Sequence, residues 1–230
     1  MKNKLSLWSF DSDNDLSLYS GLIKSEMMWL FNNRLPSEIL FIPYAYDGDY
    51  YSTYIQNVKQ VFASFKVGLK LITDMEDPVD AIKASYGIVT GGGGSLEKLL
   101  AGVDPYKEEL LNALVNYKPY LGWNEGAVLP CPSYVVPALL PTGSKCLGAT
   151  LLQIYPGYVD SDENRYDIKN FLLNHKYDDP PIKKVKCLAS QPGGGGVRLQ
   201  DDIIAIDYAG GTPPVPNPLF TLVAGQLEVI

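Results

Sequence analysis

Two glycine-bearing loops and a scarcity of imidazole bound the chemistry open to this chain. The first loop is Gly91-Gly92-Gly93-Gly94, between the apolar run Ile88-Val89-Thr90 and a helical stretch that begins at Ser95. Glycines in such a place let backbone N–H groups turn toward an anion or an oxyanion. The same run also serves as a plain tight turn. It is not a Walker loop, because no Gly-Lys-Ser/Thr follows. The second loop is Gly122-Trp123-Asn124-Glu125-Gly126-Ala127. A strand followed by Gly-x-x-x-Gly and a small residue is the layout of a nucleophile elbow, whose glycines permit the sharp turn that pushes the central residue outward. A hydrolase needs Ser or Cys at that centre. Here it is Asn124, which is no useful nucleophile in acyl transfer.

The chain has a single histidine, His175, so general-base chemistry by imidazole uses that residue or is absent. It lies near the end of a helical stretch before Asp178-Asp179-Pro180-Pro181 and reads as a surface group interacting with the helix dipole. Cys131, shortly after the elbow, reads as a small buried hydrophobe, and Ser133 is similar. The three cysteines, Cys131, Cys146 and Cys187, form no Cys-x-x-Cys. Neither a zinc knuckle nor a redox pair is written here, and the expectation is reduced thiols in a cytoplasmic protein. One His and scattered acids make no metal-ligand set, and no cofactor is expected. Tyr44, Tyr46, Tyr50, Tyr51 and Tyr54 read as amphipathic packing, with a tyrosine-lined cleft as the sharper alternative.

These loops need strands and helices to hold them. Residues 4–8, 38–43, 68–73, 86–90 and 120–123 read as short apolar strands. Residues 22–31, 52–65, 77–83, 95–101 and 105–117 carry apolar residues at helical spacing. The alternation over roughly the first half argues a parallel sheet covered on both faces. Further on, 151–155, 185–189, 197–199 and 203–207 read as strands, 160–175 as a helix and 220–230 as a hairpin. Residues 130–141 are Pro-rich and 210–218 are a Gly/Pro loop. No linker separates two units, and one domain over 1–230 is expected.

The composition agrees. The chain has 230 residues, 46% of them apolar and 20% charged, which describes an ordinary globular protein. A net charge of −7 argues against nucleic acid, whose phosphates need clustered Lys and Arg. No apolar run approaches the roughly 20 residues that span a bilayer, and the first ten residues lack the pattern of a secretory signal.

A resemblance ties these features together. Residues 40–45, 77–82, 88–100, 120–132 and Leu152-Gln153-Ile154-Tyr155-Pro156, with Arg165 at the start of the next helix, resemble the dipeptidase E (aspartyl dipeptidase) and cyanophycinase family. The resemblance implies a three-layer α/β/α sandwich with a mostly parallel sheet, similar to flavodoxin-like and class I glutamine amidotransferase folds. The family's enzymes are serine peptidases or isopeptidases acting at aspartate-type residues. Their elbow reads Gly-(Trp/Glu)-Ser-Ala-Gly-Ala, so Asn124 stands at the serine position and Glu125 at the alanine. The family's histidine position resembles Gly157, and the later loop that holds an acid in the family reads Gln191-Pro192-Gly193-Gly194 here. The family's oxyanion donors correspond to the N–H of Gly92 or Gly93 and of Glu125. Arg165 corresponds to an arginine that holds an acidic group; Asp160, Asp162 and Glu163 precede it, and a local salt bridge at the helix N-terminus is the alternative.

Three readings follow. In the first, the chain is a catalytically degenerate peptidase E-like protein that binds a small molecule or short peptide. The binding residues would be Gly92, Gly93, Gly94, Asn124, Glu125, Tyr155, Tyr158 and Arg165. In the second, Glu125 carries different acid–base chemistry, aided by Tyr155 or Tyr158 and the acids of residues 11–15; residual aspartyl-dipeptidase activity belongs beside it. In the third, residues 130–141 and 210–218 form a partner surface, a homodimer included.

Overall fold

Side chains alternate along a strand, so each short strand of this chain feeds two apolar layers at once. The computed structural model describes residues 4–10, 15–46, 48–116, 118–135, 145–178, 181–189, 195–201, 203–209 and 217–230. Strands β1 (Lys4–Ser9), β2 (Glu38–Ile42), β3 (Gly68–Leu71), β4 (Ile88–Thr90) and β5 (Tyr120–Trp123) run parallel in the order β3-β2-β4-β5-β1. Strands β8 (Gly195–Gln200) and β9 (Ile203–Ala209) extend the sheet antiparallel beyond β1. Parallel neighbours need crossovers, and helices supply them. They are α1 (Ser20–Leu30), α2 (Asp49–Ser64), α3 (Pro78–Ala84), α4 (Leu96–Val103) and α5 (Lys107–Asn116).

Leu7, Leu40, Ile42, Ile88 and Tyr120 point to the face covered by α3, α4 and α5, where Ile82, Leu99, Leu110 and Leu114 meet them. Trp8, Phe41, Val89, Leu121 and Trp123 point to the other face, against Ile23 and Met27 of α1 and Val58 and Phe62 of α2. The result is the mostly parallel α/β/α sandwich that the alternation of elements predicts. Side chains cap two of these helices: Asp77 accepts from Asp80 N at 3.0 Å and Ser95 from Lys98 N at 3.2 Å.

The second half departs from a one-sheet reading. Strands β6 (Gln153–Tyr158), β7 (Lys184–Ala189), β10 (Leu219–Val223) and β11 (Gln226–Val229) form a separate four-stranded sheet in the order β11-β10-β7-β6. The β10–β11 turn has positive φ at both Ala224 and Gly225, the twist a two-residue hairpin requires. Ile154 and Leu188 of this sheet join the main core. Tyr155, Tyr158, Cys187 and Phe220 instead pack under helix α7 (Asp162–His175). Element bounds shift too. The strand expected over 68–73 stops at Leu71, because Ile72–Asp74 coils into a 3-10 turn, and Asp104–Tyr106 does the same before α5. The strand expected over 151–155 begins at Gln153 and runs on to Tyr158.

A buried polar network ties the layers. Arg198 of β8 donates two bonds of 2.8 Å to Glu26 of α1, Ser6 Oγ donates to Glu26 Oε2 at 2.8 Å, and Trp8 Nε1 donates to Ser6 Oγ at 2.8 Å. Bidentate pairing and the extra donor satisfy a carboxylate that would otherwise be costly to bury. Among the described residues, no helix is long and apolar enough to cross a membrane.

Candidate active site

The site is built where β4, β5 and β1 end on the same edge of the sheet. Strand β5 stops at Trp123, and Asn124 turns at φ 51°, ψ −117° before the short helix α6 (Glu125–Val128). A non-glycine residue is strained there and stays only when its surroundings insist. They do so through three bonds. Asn124 N donates to Trp8 O at 2.9 Å, Ala127 N donates to Asn124 O at 2.9 Å, and Phe10 N donates to Asn124 Oδ1 at 2.9 Å. Packing closes the alternatives: a Cβ on Gly126 would lie 2.1 Å from Thr90 O, and one on Gly122 would lie 2.3 Å from Gly126 O. The two glycines of the motif are there because backbone passes backbone.

The glycine run lies against this turn. A Cβ on Gly92 would sit 2.3 Å from Glu125 N, 2.4 Å from Glu125 Oε2 and 2.5 Å from Trp123 O. Gly93 N donates to the Glu125 carboxylate. Ser95 N donates to Ala45 O at 2.8 Å, and Gly94 also backs onto that carbonyl, which anchors the far side of the loop. Thus the donor loop and the elbow meet as the motif spacing predicts, but one donor is taken up by a side chain of the protein itself. Tyr134 stands near as well. Burial first and the Glu125 charge second push its phenol up to about 12. Nothing in the sequence marks Tyr134, which lies in a Pro-rich stretch without periodicity.

Gly157 is reached through β1. Its N–H donates to Ser9 Oγ at 2.9 Å, and Ser9 is the neighbour of Phe10, which holds Asn124. Gly157 has φ 71°, and the space where its Cβ would be is open to 4 Å. The ends of β5, β1 and β6 are thereby tied together through Asn124, Phe10, Ser9 and Gly157. Sequence reasoning passes over Ser9 and Phe10, because the tie uses a backbone N–H and a buried hydroxyl that belong to no motif.

The remaining candidates meet where β6 leads into α7. The Tyr155 hydroxyl donates to Asn164 Oδ1 at 2.9 Å and the Tyr158 hydroxyl to Asp160 Oδ1 at 2.8 Å. Arg165 donates to both oxygens of Asp160, at 2.6 and 2.8 Å, and its guanidinium lies 5.9 Å from the Phe220 ring centre. Arg165 first and Tyr158 second hold the Asp160 carboxyl down to about 2. These side chains organise the start of α7, and Arg165 is engaged by an acid of its own chain.

His175 bonds Asp178 Oδ2 through Nδ1 at 2.7 Å and lies over Phe171 with ring centres 4.4 Å apart. Cys131 is fully buried, its thiol directed to Ala127 O at 3.6 Å. Ser133 N donates to Gln153 Oε1 at 3.1 Å. Of the dense tyrosines, Tyr54 is buried and Tyr46 packs on it with ring centres 4.1 Å apart, which is packing beside the glycine run. Among the described residues, no group of His, Cys, Asp and Glu is placed to hold a metal ion. Residues 11–14, 136–144, 190–194 and 210–216, which carry most of the acidic loop, the Gln191 loop and the two Pro-rich segments, lie outside the described residues.

The elbow follows β5 and faces the glycine loop that follows β4, within an α/β/α sandwich. The chain belongs to peptidase family S51, whose model matches residues 17–184. It is similar to the peptidase E of Nostoc sp., 28% identical over 130 residues covering 54% of this chain and 53% of that protein. It is also similar to the peptidase E of Shewanella sp. strain MR-4, 30% identical over 127 residues and 52% of each. The chain spans about half the length of the curated relatives it matches. In fold it resembles a crystal structure described as a putative peptidase E from Listeria monocytogenes, with a TM-score of 0.61 and 14% identity over 90% of this chain and 98% of that one. A peptidase from an acI-B1 actinobacterium matches with the same TM-score and identity, over 100% of this chain and 98% of that chain.

Proposed function

We propose that this member of the peptidase E family has given up serine-type hydrolysis and binds a small molecule or short peptide at residues 91–94 and the elbow. The observation that carries the reading is the pairing of an amide, Asn124, at the strained elbow with the Glu125 carboxylate on the Gly93 N–H. Acyl transfer needs a nucleophile and a free oxyanion donor. The elbow offers no hydroxyl or thiol, and a carboxylate already occupies Gly93's N–H. A carboxylate in that place repels anionic ligands and favours cationic or hydroxylated ones.

The test is a fluorogenic aspartyl-dipeptide assay on wild type and Asn124→Ala, run beside native mass spectrometry of the purified protein. The expected outcome is no turnover above background and a small ligand retained by wild type but lost in Glu125→Gln. Turnover that Asn124→Ala abolishes would overturn the reading. A second reading, acid–base chemistry by Glu125, draws on Tyr134 beside it. Wild type and Glu125→Gln acting identically on a panel of lysate metabolites would remove it.

A further inference from the structure

The turn that displays Asn124 also places its side chain beside the next peptide nitrogen. In an L-residue Cβ is set about 120° from N around the Cα–C bond. A ψ of −117° therefore brings Glu125 N almost into eclipse with Asn124 Cβ. That is the backbone arrangement of a five-membered succinimide ring, in which Glu125 N, Asn124 C, Cα, Cβ and Cγ are nearly coplanar. Ordinary strand and helix values of ψ hold the nitrogen well away from that plane. Here the backbone cost is already met by the bonds that fix the elbow.

We propose that Asn124 is a site of spontaneous deamidation through this ring, a modification promoted by the fold. Glu125 N attacks Asn124 Cγ, and the new C–N bond forms as Cγ–Nδ2 breaks. The proton leaves Glu125 N, and the side-chain nitrogen departs as ammonia. Water then opens the ring at either carbonyl, leaving aspartate or isoaspartate at position 124. No oxidant or other reagent is needed. Two contacts bear on the step. Phe10 N–H donates to Asn124 Oδ1 at 2.9 Å, a bond the side chain gives up as it turns toward Glu125 N. The Glu125 carboxylate and Glu125 N lie 2.4 and 2.3 Å from one point above Gly92, which sets a carboxylate within about 5 Å of the nitrogen that must lose its proton. The motion still required is rotation about Asn124 Cα–Cβ. The product carries a negative charge where the elbow now carries a neutral amide. This inference rests on the backbone of the elbow and not on the ligand reading above.

The experiment incubates the folded chain and the same chain in urea in mildly alkaline heavy-oxygen water, with peptide mapping over time. The folded chain is expected to take up label at residue 124 at least roughly tenfold faster than the unfolded one, because the geometry is set in advance. It should also do so ahead of Asn112 and Asn116, which lie on helix α5 and at its end. Hydroxylamine added to the folded sample should cleave the chain after residue 124, as a succinimide requires. A rate in urea equal to or above the folded rate overturns the proposal. So does label without hydroxylamine cleavage, which would mean direct hydrolysis of the side-chain amide.

Discussion

Gly93 donates its backbone N–H to the carboxylate of Glu125, so one donor of the glycine run is held by the residue that opens the helix after the next strand. The consequence is a masked donor. Glu125→Ala is expected to gain weak, millimolar-range binding of short carboxylates such as N-acetyl-aspartate, a free energy of about 4 kcal/mol. Wild type should bind the same carboxylates at least about tenfold more weakly. Chemical-shift perturbation at Gly93 checks this, and equal binding by the two proteins would refute it.

The steric argument at Gly92 predicts a contrast between glycines. Gly92→Ala forces Cβ against Glu125 N and Trp123 O and should destabilise by about 2–3 kcal/mol through backbone displacement. Gly21, on the exposed side of α1, has no atom within 4 Å of its Cβ site. Gly21→Ala should stabilise by about 0.5–1 kcal/mol. Denaturant midpoints at constant slope report both.

The ion pair between Arg198 and Glu26, with side chains 15% and 3% exposed, is expected to be costly to break from one side. Arg198→Ala leaves a buried carboxylate with Ser6 as its remaining partner from that network and should lose about 3–5 kcal/mol. Arg198→Met paired with Glu26→Leu should recover most of that loss. A double-mutant cycle showing no coupling would mean that the network contributes packing alone.

The bond between Asp160 and Arg165 sets a pH dependence. Asp160 titrates near 2 in the folded chain, below the ordinary carboxyl value of 3.8. The folded state therefore binds its proton less readily than the unfolded chain. The stabilisation is present above about pH 4 and is lost as pH falls toward 2. The stability difference between wild type and Asp160→Asn, read by thermal melts, should be small at neutral pH, as exposed pairs are. It should close over that acid window.

Much of the frame is legible in residue order. Asp77-Pro78 and Ser95 announce helix starts by local hydrogen bonding, and the capped helices are where those residues say. The glycines of the elbow report a turn too tight for Cβ, and the turn is there. The second sheet is less legible, because β6 and β7 look like continuations of the first alternation. They are diverted by α7, whose Ile168, Phe171 and Leu172 need a surface of their own. The roles of Ser9, Phe10 and Tyr134 are not legible at all, since each depends on a backbone atom or a charge brought from a distant part of the chain.

Residue order alone determined that a sharp glycine-flanked turn would display an amide and not a hydroxyl, since that depends on identity at one position and on local sterics. Only the tertiary structure decided where the charges went. Glu125 folded onto Gly93 because a carboxylate takes whichever donor three-dimensional packing brings within hydrogen-bond reach. Such reach extends a few ångströms in space and is indifferent to separation along the chain.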